Sequence, residues 1–142
     1  MTDQPTPNRP DAAHELAITF LYYRDLPRAF AFYRDVLGLR LAIDQGDLAK
    51  IMEIVPGAHV GLVDEAKGMN SWQADKCVQL CIRVADVEAW YAYLGKLPVD
   101  NLSSMFQNEK IGIRAFVIRD PEGYQIEIQQ ALPRDPLGVA RA

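Results

Sequence analysis

The sequence predicts an α+β protein of two βαβββ modules that share one core, and three observations predict it. Residues 17–64 and 78–130 each read as a strand, an Asp-capped helix stopped by glycine, and three further strands. The two readings superpose at an offset of 61 residues, which carries Asp25 onto Asp86, Leu26 onto Val87 and Tyr33 onto Leu94. A polar stretch, EAKGMNSWQADK (65–76), parts them as a linker.

The elements follow in order. AITFLYY (17–23) is rich in β-branched and aromatic side chains, the composition of a strand. Asp25 then offers an N-cap, and Pro27 sits in the first turn, where its missing N–H costs little. Leu26, Ala29, Phe30, Tyr33 and Leu37 recur at helical spacing, so the helix is expected over 26–37, with Gly38 as its stop. LRLAI (39–43), DLAKIMEI (47–54) and AHVGLVD (58–64) are three strands, parted by turn signals at Gln45-Gly46 and Val55-Pro56-Gly57. In the second module VQLCIRV (78–84) is the first strand. Asp86 caps a helix whose stripe is Val87, Trp90, Tyr91 and Leu94, and Gly95 ends it. Strands are expected at 99–106, 111–119 and 124–130, with Asp120-Pro121-Glu122-Gly123 as a sharp turn before the last. Pro5, Pro7 and Pro10 at one end, and Pro133 and Pro136 at the other, interrupt helix and sheet alike. The expected organisation is a tail at 1–13, one domain at 14–131 and a tail at 132–142. Module one spans 14–64 and module two 77–131.

Composition narrows the functions. A chain of 142 residues is long enough to hide roughly 68–70% of its unfolded surface, so it needs no disulfide or metal staple. With 49% hydrophobic and 24% charged residues it has the balance of a globular domain. The net charge of −4 argues against nucleic acid, which calls for a basic face. No apolar run reaches the roughly 18 residues of a membrane span, and the start MTDQPTPNRPD does not read as a signal peptide. Cys77 and Cys81 make no disulfide framework, so a reduced, cytoplasmic setting is the expectation. No G-x-G-x-x-G, phosphate-loop, G-x-S-x-G or H-E-x-x-H motif occurs.

FYRDVLGL (32–39) and FVIRDPEGYQIEIQQ (116–130) resemble the vicinal oxygen chelate superfamily, the group of glyoxalase I, extradiol dioxygenases and bleomycin-binding proteins. The resemblance covers about the whole folded part. It implies an open, half-barrel mixed sheet curled around a cavity, with the helices outside, and a homodimer. The superfamily hosts lyases, isomerases, dioxygenases and pure binders, so fold does not fix function.

Strand alternation assigns faces. Thr19, Leu21 and Tyr23 share the helix-packed face, leaving Ile18, Phe20 and Tyr22 for the cavity. By the same parity Gln79, Cys81 and Arg83 face the cavity, as do Gln125, Glu127 and Gln129, and His59, Gly61 and Val63. The resemblance places metal ligands at Ile18, Gly61, Gln79 and Glu127. The first two have no donor atom, and two donors are too few for a divalent ion. His59 offers an irregular N,O,O set with Gln79 and Glu127, against a local role near its turn. Cys81 reads as a small inert hydrophobe rather than a nucleophile.

The expected function is therefore binding of a small organic molecule in an apolar cavity, without metal or other cofactor. Its expected lining is Phe20, Tyr22, Gln79, Arg83, Met105, Phe116 and Glu127, with Trp72 as a lid, a dimer seam or a lone exposed aromatic. Glu127 is either half of an ion pair with Arg83 or Arg114, or a ligand anchor and general base. One alternative is a metal-dependent lyase, isomerase or dioxygenase using His59, Gln79 and Glu127, with the metal as Lewis acid. The other is a dimeric scaffold with a collapsed cavity.

Overall fold

The computed structural model describes residues 7–133. The ends of both expected tails, 1–6 and 134–142, lie outside the described residues.

In module one, β1 (Ala17–Tyr23), α1 (Leu26–Ala31), β2 (Arg40–Asp44), β3 (Ala49–Val55) and β4 (Ala58–Asp64) follow one another. Module two repeats the order with β5 (Gln79–Arg83), α2 (Val87–Leu94), β6 (Phe106–Asn108), β7 (Ile113–Arg119) and β8 (Gln125–Ala131). Each module makes a four-stranded mixed sheet, ordered β1-β4-β3-β2 and β5-β8-β7-β6, and the two do not close into a barrel. The first strand of each module runs parallel to the last, and the remaining pairs are antiparallel.

The helix entrances follow the sequence closely. Asp25 accepts from the Arg28 N–H at 3.1 Å and Asp86 from the Ala89 N–H at 3.0 Å. Each cap satisfies a first-turn N–H that no helical carbonyl can reach. The first helix does not continue as α to residue 37. It changes at Phe32–Val36 to a π turn, in which the Leu37 N–H bonds the Phe32 carbonyl at 3.1 Å. The wider turn rotates the apolar stripe. Phe32 is buried, and Phe30, expected in the core, is only partly so. Gly38 then turns the chain out at φ +72°, a conformation that a side chain would oppose. The expected strand at 99–106 is a second departure. There Asp100 makes a lone bridge to Arg119, and only Phe106–Asn108 pair as a strand. Asn101 at φ 55° and the neighbouring Pro98 break the extended run.

One core serves both modules. Leu21, Tyr23, Leu26, Tyr33, Val60 and Leu62 from the first pack in one cluster with Val87, Leu94, Phe116, Ile118, Ile126 and Ile128 from the second. A smaller cluster, Ala49, Ile51 and Val63, lies on the other face of the first sheet, with Ile18 and Tyr22 against it.

The turn that enters β8 ties the modules together. Asp120 is 1% exposed, and its Oδ2 accepts from the Tyr23 hydroxyl at 2.5 Å and the Tyr33 hydroxyl at 2.9 Å. Its Oδ1 accepts from the backbone N–H of Glu122 and of Tyr124, each at 2.9 Å. The Glu122 carboxylate accepts from the backbone N–H of Arg24 at 2.7 Å and of Asp25 at 2.8 Å, just ahead of α1. The Tyr124 hydroxyl accepts from the Tyr22 N–H and donates to the Tyr22 carbonyl. Burial pushes the Tyr23 and Tyr33 phenols well above the ordinary range, and the carboxylate beside them adds to it. Burial also raises the Asp120 carboxyl, against the pull of the donors around it.

Replacing Asp120 by Ala strips the acceptor from two buried phenols and two backbone amides. A stranded buried donor costs about 1–3 kcal/mol. We expect Asp120→Ala to lose about 3 kcal/mol or more in urea unfolding; a loss under about 1 kcal/mol contradicts this reading of the turn.

Candidate functional site

The faces of the two sheets turned away from the shared core differ in chemistry. On module two, β5 and β8 lie side by side, with Gln79 opposite Gln125, Cys81 opposite Glu127 and Arg83 opposite Gln129. Glu127 is half-buried at the centre of a network. Its Oε1 accepts from Gln79 Nε2 at 3.2 Å, and its Oε2 accepts from Gln129 Nε2 at 2.7 Å and from the Cys81 thiol at 3.8 Å. Gln129 Oε1 in turn accepts from Arg83 Nε at 2.9 Å and Nη2 at 2.6 Å. The hydrogen bonds that reach Glu127 thus come from neutral side chains, and Gln129 stands between it and the Arg83 guanidinium. Arg114, the other expected partner, is turned to the helix side and pairs with Glu88 of α2. Burial, with the Glu127 charge adding, pushes the Cys81 thiol up to about 11, so it is no ready nucleophile.

Module one offers an apolar face. Ile18, Phe20 and Tyr22 of β1 stand opposite His59, Gly61 and Val63 of β4. Phe20 is 46% exposed. Beside it lies a cleft of about 220 Å³ lined by Phe20, Tyr22, Leu48, Ala49, Val63, Gly68 and Met69, with Gln45 and Lys67 as its polar members. The linker supplies one wall of that cleft. A side chain at Gly68 would meet Val63 Cγ1 at 2.6 Å and Tyr22 Cε1 at 2.9 Å, so glycine lets the chain close down here. The sequence reading missed Gly68 and Met69, because a linker carries no periodicity from which to assign a face.

Three expected cavity residues stand elsewhere. Phe116 is fully buried on the helix-packed face, opposite Ile128 and with its ring 4.9 Å from that of Tyr91 on α2. The register of β7 on β8 puts Ala115 and Val117, not Phe116, on the Glu127 face. Met105 packs against the shared core. Trp72 holds the linker to the module junction. Its ring lies 3.6 Å from the Arg24 guanidinium and 3.8 Å from the Lys76 ammonium, two cation–π contacts.

The residues do not fit a divalent metal. Ile18 and Gly61 bring no donor, and the Phe20 ring occupies the space that a β4 side chain would need. A Cβ built on Gly61 would lie 2.5 Å from Phe20 Cδ1 and 2.6 Å from Cε1. Gln79 and Glu127 bond each other. His59 is buried, and its Nδ1 has no hydrogen-bond partner. Among the described residues no group of three or more His, Cys, Asp or Glu side chains is placed to hold a metal ion.

The family model of the Glyoxalase/Bleomycin resistance protein/Dioxygenase superfamily matches residues 14–128. No curated protein sequence matches the chain. Among solved structures, a lactoylglutathione lyase from Agrobacterium tumefaciens is 23% identical, with 85% of this chain and 94% of that one covered and a TM-score of 0.66. TioX from Micromonospora sp. ML1 is 22% identical, covering 84% of this chain and all of that one, at 0.67. A glyoxalase/bleomycin resistance protein/dioxygenase from Nocardioides is 18% identical, covering 92% and 90%, at 0.69. At these identities the likeness is one of fold.

The raised thiol carries a prediction. At neutral pH a thiol near 11 holds about a hundredfold less thiolate than one at the ordinary 9.0. Iodoacetamide labelling followed by peptide mass spectrometry should therefore modify the exposed Cys77 at least tenfold faster than Cys81. Equal rates would refute the environment assigned to Cys81.

Proposed function

The chain belongs to the Glyoxalase/Bleomycin resistance protein/Dioxygenase superfamily, and from that premise we propose that it binds a small organic molecule without a metal. The observation that supports this most is the setting of Glu127. A half-buried carboxylate is costly unless it is hydrogen-bonded. Here the bonds come from the neutral amides of Gln79 and Gln129, which orient it. A carboxylate oriented in this way is suited to anchor a donor group of a ligand. Nearby Val117, partly buried, supplies apolar contact on the same face.

The proposal extends to a two-fold homodimer in a reducing, cytoplasmic setting. β1 and β2 are the edges of one sheet, and β5 and β6 of the other. Open edges call for cover, which a second copy of the chain would supply. No helix among the described residues is long and apolar enough to cross a membrane. Both cysteines are free and exposed, as a reducing compartment would keep them.

Four outcomes test this reading. Glu127→Gln should change unfolding stability by less than about 1 kcal/mol, because its neighbours are already neutral. The same change should weaken ligands found by thermal-shift screening of small organic molecules about tenfold or more, since a charge-assisted bond contributes about 1.5–3 kcal/mol. A large stability loss with unchanged affinity would make Glu127 purely structural. Elemental analysis of protein purified without chelator should find zinc, nickel, iron and manganese well below one equivalent per chain. A full equivalent, lost in His59→Ala, would restore the metal-dependent enzyme. Light scattering at micromolar concentration should return twice the 15.9 kDa chain mass, and a monomer mass would remove the dimer.

A further inference from the structure

Phe20 and Gly61 form a pair on the apolar face of module one. They are register partners on β1 and β4, and the space over Gly61 is filled by the Phe20 ring. Cδ1 and Cε1 lie 2.5 and 2.6 Å from where a Gly61 Cβ would stand, and Ile18 Cγ2 lies at 3.1 Å. No other residue type at position 61 lets the ring lie there, since even a methyl group would push it away. The ring is thus held down on the sheet on one side, yet remains 46% exposed on the other. Its exposed side borders the cleft of about 220 Å³, where Tyr22 shares its face of β1 and Met69, 95% exposed, stands at the rim.

We infer that Phe20, seated by Gly61, is the specificity-determining residue of this cleft, and that the cleft selects planar aromatic ligands over aliphatic ones. The inference rests on the small-molecule-binding reading and adds to it a second ligand surface, on module one, with its own ligand class. Three groups on the cleft favour a π face: Phe20, Tyr22 and the Met69 thioether. Aromatic pairs add about 0.5–1.5 kcal/mol beyond area burial, and thioether–ring contacts add a comparable increment. The size agrees, because a cavity of about 150 Å³ holds benzene and this one is larger. Gly61 then has a role in recognition that its missing side chain would otherwise hide. It is the floor that holds the ring in one place, so that little side-chain freedom is lost when a ligand stacks on it.

The test compares 2-naphthol with decahydro-2-naphthol, which share a carbon skeleton and a hydroxyl but differ in planarity. Each is titrated into the full-length protein by calorimetry, with amide chemical shifts to locate the site. We expect 2-naphthol to shift the amides of Phe20, Gly61 and Met69, and decahydro-2-naphthol to bind at least tenfold more weakly. Gly61→Ala, which keeps Phe20 but displaces its ring, should weaken 2-naphthol at least tenfold. Phe20→Leu keeps an apolar side chain without the ring and should show the same loss, so the result does not hang on how well Gly61→Ala folds. Equal affinity for the two alcohols, or unchanged binding of 2-naphthol by Phe20→Leu, overturns the aromatic selectivity and leaves the binding reading standing. If neither alcohol shifts an amide of this face, the inference falls together with the reading of the face as a ligand surface. Glu127→Gln then reports separately on module two.

Discussion

Asp120 accepts hydrogen bonds from Tyr23 and Tyr33 of module one and from two backbone amides of its own turn in module two, all at a site 1% exposed to solvent. A carboxylate buried so completely is tolerated only when its oxygens are filled, and here four donors fill them. Because those donors come from β1, from the π turn after α1 and from the turn into β8, the end of β1 and the start of β8 are held together. The adjacent Glu122 and Tyr124 make the same crossing to the backbone of Arg24, Asp25 and Tyr22. The turn Asp120-Pro121-Glu122-Gly123 is therefore a clasp between modules as well as a reversal of the chain.

What the clasp holds in place is a pair of dissimilar surfaces. β8 leaves the turn and carries Glu127 and Gln129 out on the side away from the core, where Gln79 and Arg83 of β5 meet them. β1 enters the clasp at Tyr23 and carries Phe20 and Tyr22 on the side away from the core of its own sheet. One surface thus holds an oriented carboxylate among amides, and the other an aromatic ring on a glycine floor. Equivalent positions in the two modules, Ile18 in one and Gln79 in the other, have taken opposite chemistry while the βαβββ frame repeats. At the first of these positions there is no side-chain donor atom, and at the second there is an amide bonded to Glu127.

Much of this was legible in the residues, and the limits have physical reasons. Apolar and polar residues alternate from Gln125 to Gln129 of β8, so Ile126 and Ile128 declare the packed face unaided. β1, by contrast, is apolar on both faces and alternates in burial only at its end, where Leu21 and Tyr23 are buried. The caps at Asp25 and Asp86 are local, within three residues of the amides they bind, and were readable for that reason. Phe116 was not, because β7 is buried on both faces at Ile113, Ala115 and Phe116, and only its register on β8 distinguishes them. The π turn adds a residue that helical spacing does not anticipate, and Phe32 at its start is buried while Phe30 packs only partly against the core. The partners of Asp120 lie 97 and 87 residues away along the chain, so the sequence shows the turn and hides the clasp. Trp72 stands at no periodic position, and its two cations, Arg24 and Lys76, come from different segments.

The clasp is tested most directly by the dependence of stability on alkaline pH. Burial first, and then Tyr33 and Asp120 for Tyr23 and Asp120 for Tyr33, raises the two phenols above their ordinary value of about 10. The folded chain then keeps protons that the unfolded chain releases, so this stability is fully present below pH 10 and is lost as pH rises through the folded values. Urea unfolding of the wild type and of the Tyr23→Phe, Tyr33→Phe double variant between pH 9 and 11.5 isolates the two groups. The wild-type slope should be steeper by up to two protons, about 2.7 kcal/mol per pH unit at its limit. Equal slopes in the two proteins would contradict it.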